Sequence, residues 1–193
     1  MNRVASLTIA GFVLAVSTGQ ASAQSRGFDV VGSAPQVCNI ESPTLGDRVS
    51  NVQAFDGSSI RIVSLVNPQS LATTAATAEL NLTAVCTVPH RLTVQSRNNG
   101  LWRAQGGAVN GGAGFTSAVP YRVDVEWGDV RDRLDVDALS RGPRQRSTLI
   151  DKPVVGDLTL LVVIEPGASN LYANAPLLAG AYSDILTVTL EPQ

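Results

Sequence analysis

The sequence predicts an all-β sandwich. Several segments alternate apolar and polar residues with a period of two, which is typical of strands that bury one face. Gly, Pro, Asn and Asp residues separate these segments at irregular intervals, and no stretch after residue 23 shows a convincing helical period. Runs of strands without helices favour two packed sheets over other fold classes.

The first 23 residues predict a signal peptide. Asn2 and Arg3 give a short positive start, residues 4–16 are nearly all apolar, and Ala21-Ser22-Ala23 is an A-x-A cleavage signal. We predict cleavage before Gln24, so that the mature chain is exported and carries no membrane span. The alternative, an anchoring helix, is disfavoured because the apolar run is short and no charged stop-transfer flank follows it.

Two further parts follow the signal peptide. Residues 24–36 form an N-terminal extension, and residues 37–193 form one sandwich-sized domain. About 170 residues suit a single domain with a real core. Without the signal peptide the chain carries 13 basic and 16 acidic residues, a net charge of −3. Nothing in that balance suggests a nucleic-acid partner.

Both cysteines, Cys38 and Cys86, lie in the exported part. An oxidising compartment would join them, so we expect a disulfide. On the chain-entropy account a loop of that length stabilises the fold by roughly 4 kcal/mol. Two buried free thiols are the alternative.

Three segments show the strand pattern most clearly: residues 77–88, 120–127 and 182–190. Their apolar faces consist, in chain order, of Leu80, Leu82, Ala84, Cys86 and Val88; of Tyr121, Val123, Val125 and Trp127; and of Leu186, Val188 and Leu190. Residues 60–66 and 91–95 predict shorter strands. Residues 158–164 are apolar on both faces, as expected for a central strand that is covered on each side.

Two segments interrupt this pattern. Residues 106–114 are so rich in glycine that they predict a mobile hairpin loop. Residues 129–152 are dense in charge and predict a long solvated excursion, with room for one short strand.

No set of residues predicts catalysis, a metal site or a cofactor site. His90 is the only histidine and follows a proline at a strand end, which indicates a loop-exposed side chain rather than a zinc ligand or catalytic base. The glycine-rich segment lacks the Lys-Ser/Thr ending of a phosphate-binding loop. Asp129, Asp132, Asp135 and Asp137 miss the spacing of a calcium loop and are mixed with arginines. We therefore expect that the protein is not an enzyme.

The C-terminal segment resembles a known family. Gly180-Ala181-Tyr182-Ser183-Asp184, followed by alternating Leu186, Val188 and Leu190, resembles the closing strand of the spore coat protein U family, the pilin-like subunits of archaic chaperone-usher systems. Other family features occur in the same order along the chain: Val37-Cys38-Asn39-Ile40, Pro43-Thr44-Leu45-Gly46, Ala84-Val85-Cys86-Thr87, Tyr121-Arg122-Val123 and Trp127-Gly128. The similarity covers most of the mature chain thinly, and its C-terminal end is the specific part.

The resemblance implies an immunoglobulin-like, pilin-type sandwich that lacks its final strand. In such systems a periplasmic chaperone lends a strand first, and the N-terminal extension of a neighbouring pilin subunit replaces it at an outer-membrane usher. The acceptor groove would lie beside the C-terminal strand, at Tyr182, Asp184, Leu186, Val188 and Leu190. The implied destination is the cell surface, reached through the periplasm, in a fimbria that serves adhesion and biofilm formation.

The N-terminal extension has the pattern of a donor strand. Phe28, Val30, Gly32 and Ala34 alternate between the cleavage point and the first cysteine. Phe28 and Val30 would fill pockets left by the absent strand, and Gly32 would permit close approach. Pro35 removes a backbone donor and ends the pairing. The alternative is an ordinary first strand that completes its own domain.

A second hypothesis is a self-contained secreted binding module that recognises a glycan or surface polymer. Trp102 beside Arg103 could stack on a sugar, with the glycine-rich and charged segments nearby. The competing interpretation is that Trp102 is partly buried packing at the flank of a strand. A module would fold alone as a monomer, whereas an incomplete sandwich exposes an open edge and aggregates without its chaperone.

Overall fold

The computed structural model describes residues 24–104 and 114–193, with residues 54 and 55 described by their backbone alone. The predicted signal peptide and nearly all of the glycine-rich segment lie outside the described residues. The chain divides into two units, Met1–Ala34, of which residues 24–34 are described, and Pro35–Gln193. None of the described residues belongs to a helix long and apolar enough to cross a membrane.

Fourteen strands occur in the described part of the second unit. In chain order they are β1 (Cys38–Ile40), β2 (Thr44–Ser50), β3 (Val52–Phe55), β4 (Ile60–Ile62), β5 (Ala76–Cys86), β6 (His90–Ser96), β7 (Leu101–Arg103), β8 (Ala118–Val119), β9 (Tyr121–Trp127), β10 (Val130–Val136), β11 (Arg144–Ile150), β12 (Val154–Ile164), β13 (Tyr182–Ser183) and β14 (Leu186–Pro192). The predicted all-β class is confirmed.

Two antiparallel sheets carry most of these strands. In the first sheet the order is β1–β5–β12–β9–β10, and β2 pairs with β5 farther along the same edge. The second sheet has the order β11–β6–β14. A small sheet of β13, β7 and β8 and a hairpin of β3 and β4 are separate from both. The strand predicted at residues 60–66 is limited to β4, because the chain turns away after its short pairing with β3.

One apolar core receives side chains from both large sheets. The β5 face predicted to be apolar enters this core, where Leu80, Leu82 and Ala84 are at most 7% exposed. From the second sheet, Leu92 and Val94 of β6 enter the same cluster, each 2% exposed. Two sheets that share one core are consistent with the predicted sandwich.

The predicted central strand is confirmed as β12. It pairs with β5 along its whole length and with β9 on its other side. Leu158 and Leu160 are buried, whereas Leu161 and Val163 on the opposite face are half-buried. The strand is central within its sheet, but its outer face is only partly covered.

The predicted disulfide is confirmed. Cys38 and Cys86 lie directly opposite each other in the β1–β5 pairing and are joined. Because 48 positions separate the two cysteines in sequence, the bond closes a long loop of the unfolded chain. It fastens the short first strand to the sheet.

The predicted solvated excursion at residues 129–152 is wrong. Two seven-residue strands occupy this segment: β10 pairs with β9, and β11 pairs with β6. Arg131 lies opposite Glu126, and Arg133 lies opposite Asp124, and both pairs form salt bridges. Opposite charges across an antiparallel pair stabilise the pairing, so a charge-rich segment forms a strand here.

The prediction that His90 is exposed in a loop is also wrong. His90 is the first residue of β6 and is fully buried. Its Nδ1 atom donates to the backbone oxygen of Val88 at 2.8 Å, and its ring centroid lies 5.0 Å from that of Trp127. The aromatic ring of Trp127, supplied by the other sheet, covers a side chain that local sequence placed at the surface.

Candidate functional site at an open sheet edge

The C-terminal strand β14 lies at the edge of the second sheet. It pairs with β6, from Leu186 opposite Ser96 to Pro192 opposite His90, and no other described strand pairs with it. A strand in an antiparallel sheet has backbone hydrogen-bonding groups on both sides. One side of β14 is therefore available for a further strand.

Three apolar side chains of β14 pack against the core without being fully covered. Leu186, Val188 and Leu190 are half-buried, whereas Leu92 and Val94 on the neighbouring strand β6 are each 2% exposed. Strand β1, at the edge of the first sheet, lies next to β14. We call the border between β1 and β14, where these side chains are incompletely covered, the open seam.

The opposite seam, between β10 and β11, is closed by charged side chains. Arg146 Nε donates to both carboxylate oxygens of Asp132, at 2.8 and 2.9 Å, and Thr148 donates to the same carboxylate. Burial opposes ionisation of Asp132, but the hydrogen bonds from Thr148 and Arg146 outweigh it, so its pKa is lowered. Arg144 Nε also donates to the backbone oxygen of Asp135 at 3.3 Å. Charges of this kind protect edge strands from pairing with another chain.

The strands that border the open seam carry almost no such protection. Glu191 is the only charged residue of β14, and β1 has none. Strand β2, farther along the edge of β1, has two charged residues, Asp47 and Arg48, and an irregular register between Leu45 and Val49. Charged side chains therefore hinder pairing with another strand little along β14.

The strand predicted at residues 182–190 is divided in two. Strand β13 pairs with β7, and the Tyr182 hydroxyl donates to the backbone oxygen of Leu178 at 2.7 Å, so Tyr182 belongs to the small sheet. Asp184 lies between β13 and β14, and its carboxylate accepts hydrogen bonds from Ser96 and Tyr121. Of the five predicted groove residues, three lie on the edge strand and these two precede it.

The predicted donor residues are accessible. Residues 24–34 have no regular secondary structure, and every one of them is exposed. Phe28 is 87% exposed and Val30 is 96% exposed, while Gly32 and Ala34 are also at the surface. Val31, which alternates with the donor residues, is 90% exposed. The apolar character of the extension is therefore not limited to one face.

The described residues also contain an open depression and a half-buried tryptophan. An open depression of about 500 Å³ lies on the first sheet, and Arg48, Arg131 and Arg133 at its wall each form a salt bridge with a carboxylate. Trp102 is half-buried in β7, and its indole N–H finds no hydrogen-bond partner among the described residues. Within the same residues no cluster of His, Cys, Asp or Glu has the arrangement of a metal site.

Neither a protein-family model nor a curated protein matches the chain.

Proposed function

We propose that the protein is a structural subunit of an extracellular fimbria or surface coat. In this proposal the fold is an immunoglobulin-like sandwich of the pilin type, completed by a strand from another molecule. The observation that carries the proposal is the edge of β14 that no strand of the described residues pairs with, beside a charge-poor, apolar seam. The resemblance of the C-terminal segment to the spore coat protein U family supports the same function.

The N-terminal extension of a neighbouring subunit is the proposed occupant of the open seam. Its Phe28 and Val30 side chains are almost fully exposed, and burying each would contribute about 1.5–3 kcal/mol. Backbone hydrogen bonds to β14 would add affinity without sequence preference. As the resemblance implies, a periplasmic chaperone occupies the seam first and the exchange takes place at an outer-membrane usher.

The direction of the strands favours a neighbour as the donor over the chain's own extension. The extension joins the domain at β1, at the end of the fold where β14 finishes beside His90. To enter its own seam, the extension would have to reverse within the three residues between Ala34 and Cys38 and then run parallel to β14. A donor from a neighbour beyond the Leu186 end would run antiparallel, which is the more stable pairing.

Deletion of residues 24–34 tests the donor assignment. The full chain, expressed in the periplasm with a candidate chaperone and usher, should form a ladder of joined subunits on an unboiled gel. The deletion variant should remain bound to the chaperone and form no ladder, because it accepts a strand but has none to donate. Ladder formation by the deletion variant would show that the donor lies elsewhere.

The behaviour of the full chain without a chaperone tests the proposal as a whole. An open apolar seam should make the isolated protein aggregate or degrade. A soluble monomer that melts cooperatively would contradict the proposal and favour the self-contained binding module.

A further inference from the structure

The start of β14 requires an anchor other than strand pairing. A strand inside a sheet is held by two neighbours, whereas β6 is the one strand in the described part of the chain that pairs with β14. The residue that precedes β14 by two positions, Asp184, places its carboxylate among groups from both large sheets. This arrangement connects the edge strand to the rest of the core.

Four groups contributed by distant parts of the chain donate to the Asp184 carboxylate. Oδ2 accepts from Ser96 Oγ at 2.5 Å and from the Tyr121 hydroxyl at 2.7 Å, with the Gly100 backbone N–H farther away at 3.4 Å. Oδ1 accepts from the Asn98 backbone N–H at 2.9 Å. Ser96 ends β6 in the second sheet and Tyr121 begins β9 in the first, so one carboxylate joins both sheets to the start of β14.

The donors are themselves fixed in place. Ser96 is fully buried and its hydroxyl oxygen also accepts from the Asn99 backbone N–H at 2.9 Å. Tyr121 is 8% exposed, and burial raises the pKa of its phenol, which the adjacent Asp184 carboxylate raises further. The phenol therefore keeps its proton and remains a donor. Asp184 forms no salt bridge with the described residues, so neutral donors alone hold it.

We propose that Asp184 is the positioning residue of the acceptor edge, β14. It holds the first residues of this strand in the conformation that a donor strand requires. This inference rests on the proposed function. A donor binds only the fraction of molecules in which β14 is ordered, so its apparent affinity falls in proportion to that fraction. Loss of the Asp184 contacts lowers the association rate of a donor and leaves its dissociation rate unchanged, because Asp184 itself does not touch the donor.

The test compares Asp184→Asn with Asp157→Asn in the full chain, each variant purified in complex with a candidate periplasmic chaperone. The amide nitrogen of asparagine cannot accept a hydrogen bond, so Asp184→Asn sets an N–H donor either against Ser96 and Tyr121 or against the Asn98 backbone N–H. Asp157 is an exposed aspartate on β12 whose side chain makes no hydrogen bond with the described residues, and it serves as the matched control. Tyr121→Phe removes a single donor and provides a milder second variant.

Two readouts separate positioning from a general loss of stability. Hydrogen exchange of the β14 amides should become about tenfold faster in Asp184→Asn, with β9 and β10 unchanged, as expected for local opening. A labelled peptide of residues 24–36 should associate about tenfold more slowly and dissociate at the wild-type rate. Tyr121→Phe should show the same pattern with smaller changes, and Asp157→Asn should show neither.

The possible results distinguish this inference from the proposed function. Faster exchange across all strands, or unchanged exchange in β14, would overturn the role of Asp184. A faster dissociation rate would also overturn it, since that result would place Asp184 in contact with the donor. If the wild-type chain did not bind the peptide at all, the proposed function would be wrong, while selective loosening of β14 would still establish the anchoring by Asp184.

Discussion

Replacing Val30 with aspartate in the N-terminal extension should abolish its binding to the open seam, whereas the same change at Val31 should not. Alternate side chains of a strand point to opposite faces, so Val30 shares its face with Phe28 while Val31 points away. Both valines are exposed in the free chain, at 96% and 90%. Neither replacement therefore removes a contact that exists before binding.

The loss of binding free energy expected for Val30→Asp follows from burial of this position in the open seam. A valine moved from water into an apolar groove contributes about 1.5–3 kcal/mol. An aspartate there loses that contribution and places an unpaired carboxylate against Leu186, Val188 or Leu190, at a further cost of a few kcal/mol. A total loss of about 3 kcal/mol or more lowers affinity at least a hundredfold. At Val31, which stays in water, the change should be within about 0.5 kcal/mol.

The assay uses three synthetic peptides of residues 24–36: the native sequence, Val30→Asp and Val31→Asp. Each peptide is titrated against the chaperone-bound subunit, and binding is measured as displacement of the chaperone. The two variants have the same net charge, so only the face that carries the charge differs. Equal affinity of the two variants would refute the proposed alternation of the donor strand.

Three further predictions concern stability, each measured by urea unfolding of the chaperone-free chain refolded with the donor peptide. Burial raises the pKa of Tyr121. The contribution of this phenol to the free energy of unfolding is therefore complete below its unfolded-state pKa of about 10 and is lost as the pH rises beyond that value. Tyr121→Phe should make the fall of the unfolding free energy at alkaline pH less steep. The pKa of Asp132 is lowered, so the contribution of its carboxylate to the free energy of unfolding is complete above pH about 4 and is lost in stronger acid. Asp132→Asn should lower the free energy of unfolding by about 1 kcal/mol at pH 7 and make its fall in acid less steep. Reduction of the Cys38–Cys86 disulfide should lower the free energy of unfolding by up to about 4 kcal/mol, and an unchanged midpoint would contradict its structural role.

The sequence predicted the strands whose inner faces are continuous apolar rows. Strands β5 and β9 were found this way because residues such as Leu80, Leu82, Val123 and Val125 repeat with a period of two. In β10 only Leu134 and Val136 follow that pattern at buried positions, and β11 supplies Ile150 at its end. These two edge strands depend on charge pairs with neighbours, a signal that apolar periodicity does not detect.

A different signal could have identified β10. Gly128 and Asp129 lie between Trp127 and Val130, which are opposite partners, and Gly128 has a φ of 58°. This is the two-residue turn of a hairpin, whose first position favours glycine. Charges of opposite sign at matching distances on the two sides of that turn then predict the register.

The site was predicted only in part. The half-buried row on β14 was visible as alternation, but the Asp184 contacts join positions separated by 88 and 63 residues. The burial of His90 likewise depends on Trp127 in the other sheet. Contacts of this kind arise from the way the sheets pack, which local patterns do not determine.

The most direct test of the account is a structure of the assembled material recovered from the cell surface. We expect residues 28–34 of one molecule to lie as an antiparallel strand beside Leu186–Pro192 of the next, with Phe28 and Val30 against the core. A β14 edge that is unpaired in the assembly, or that is covered by the same molecule's own chain, would contradict it.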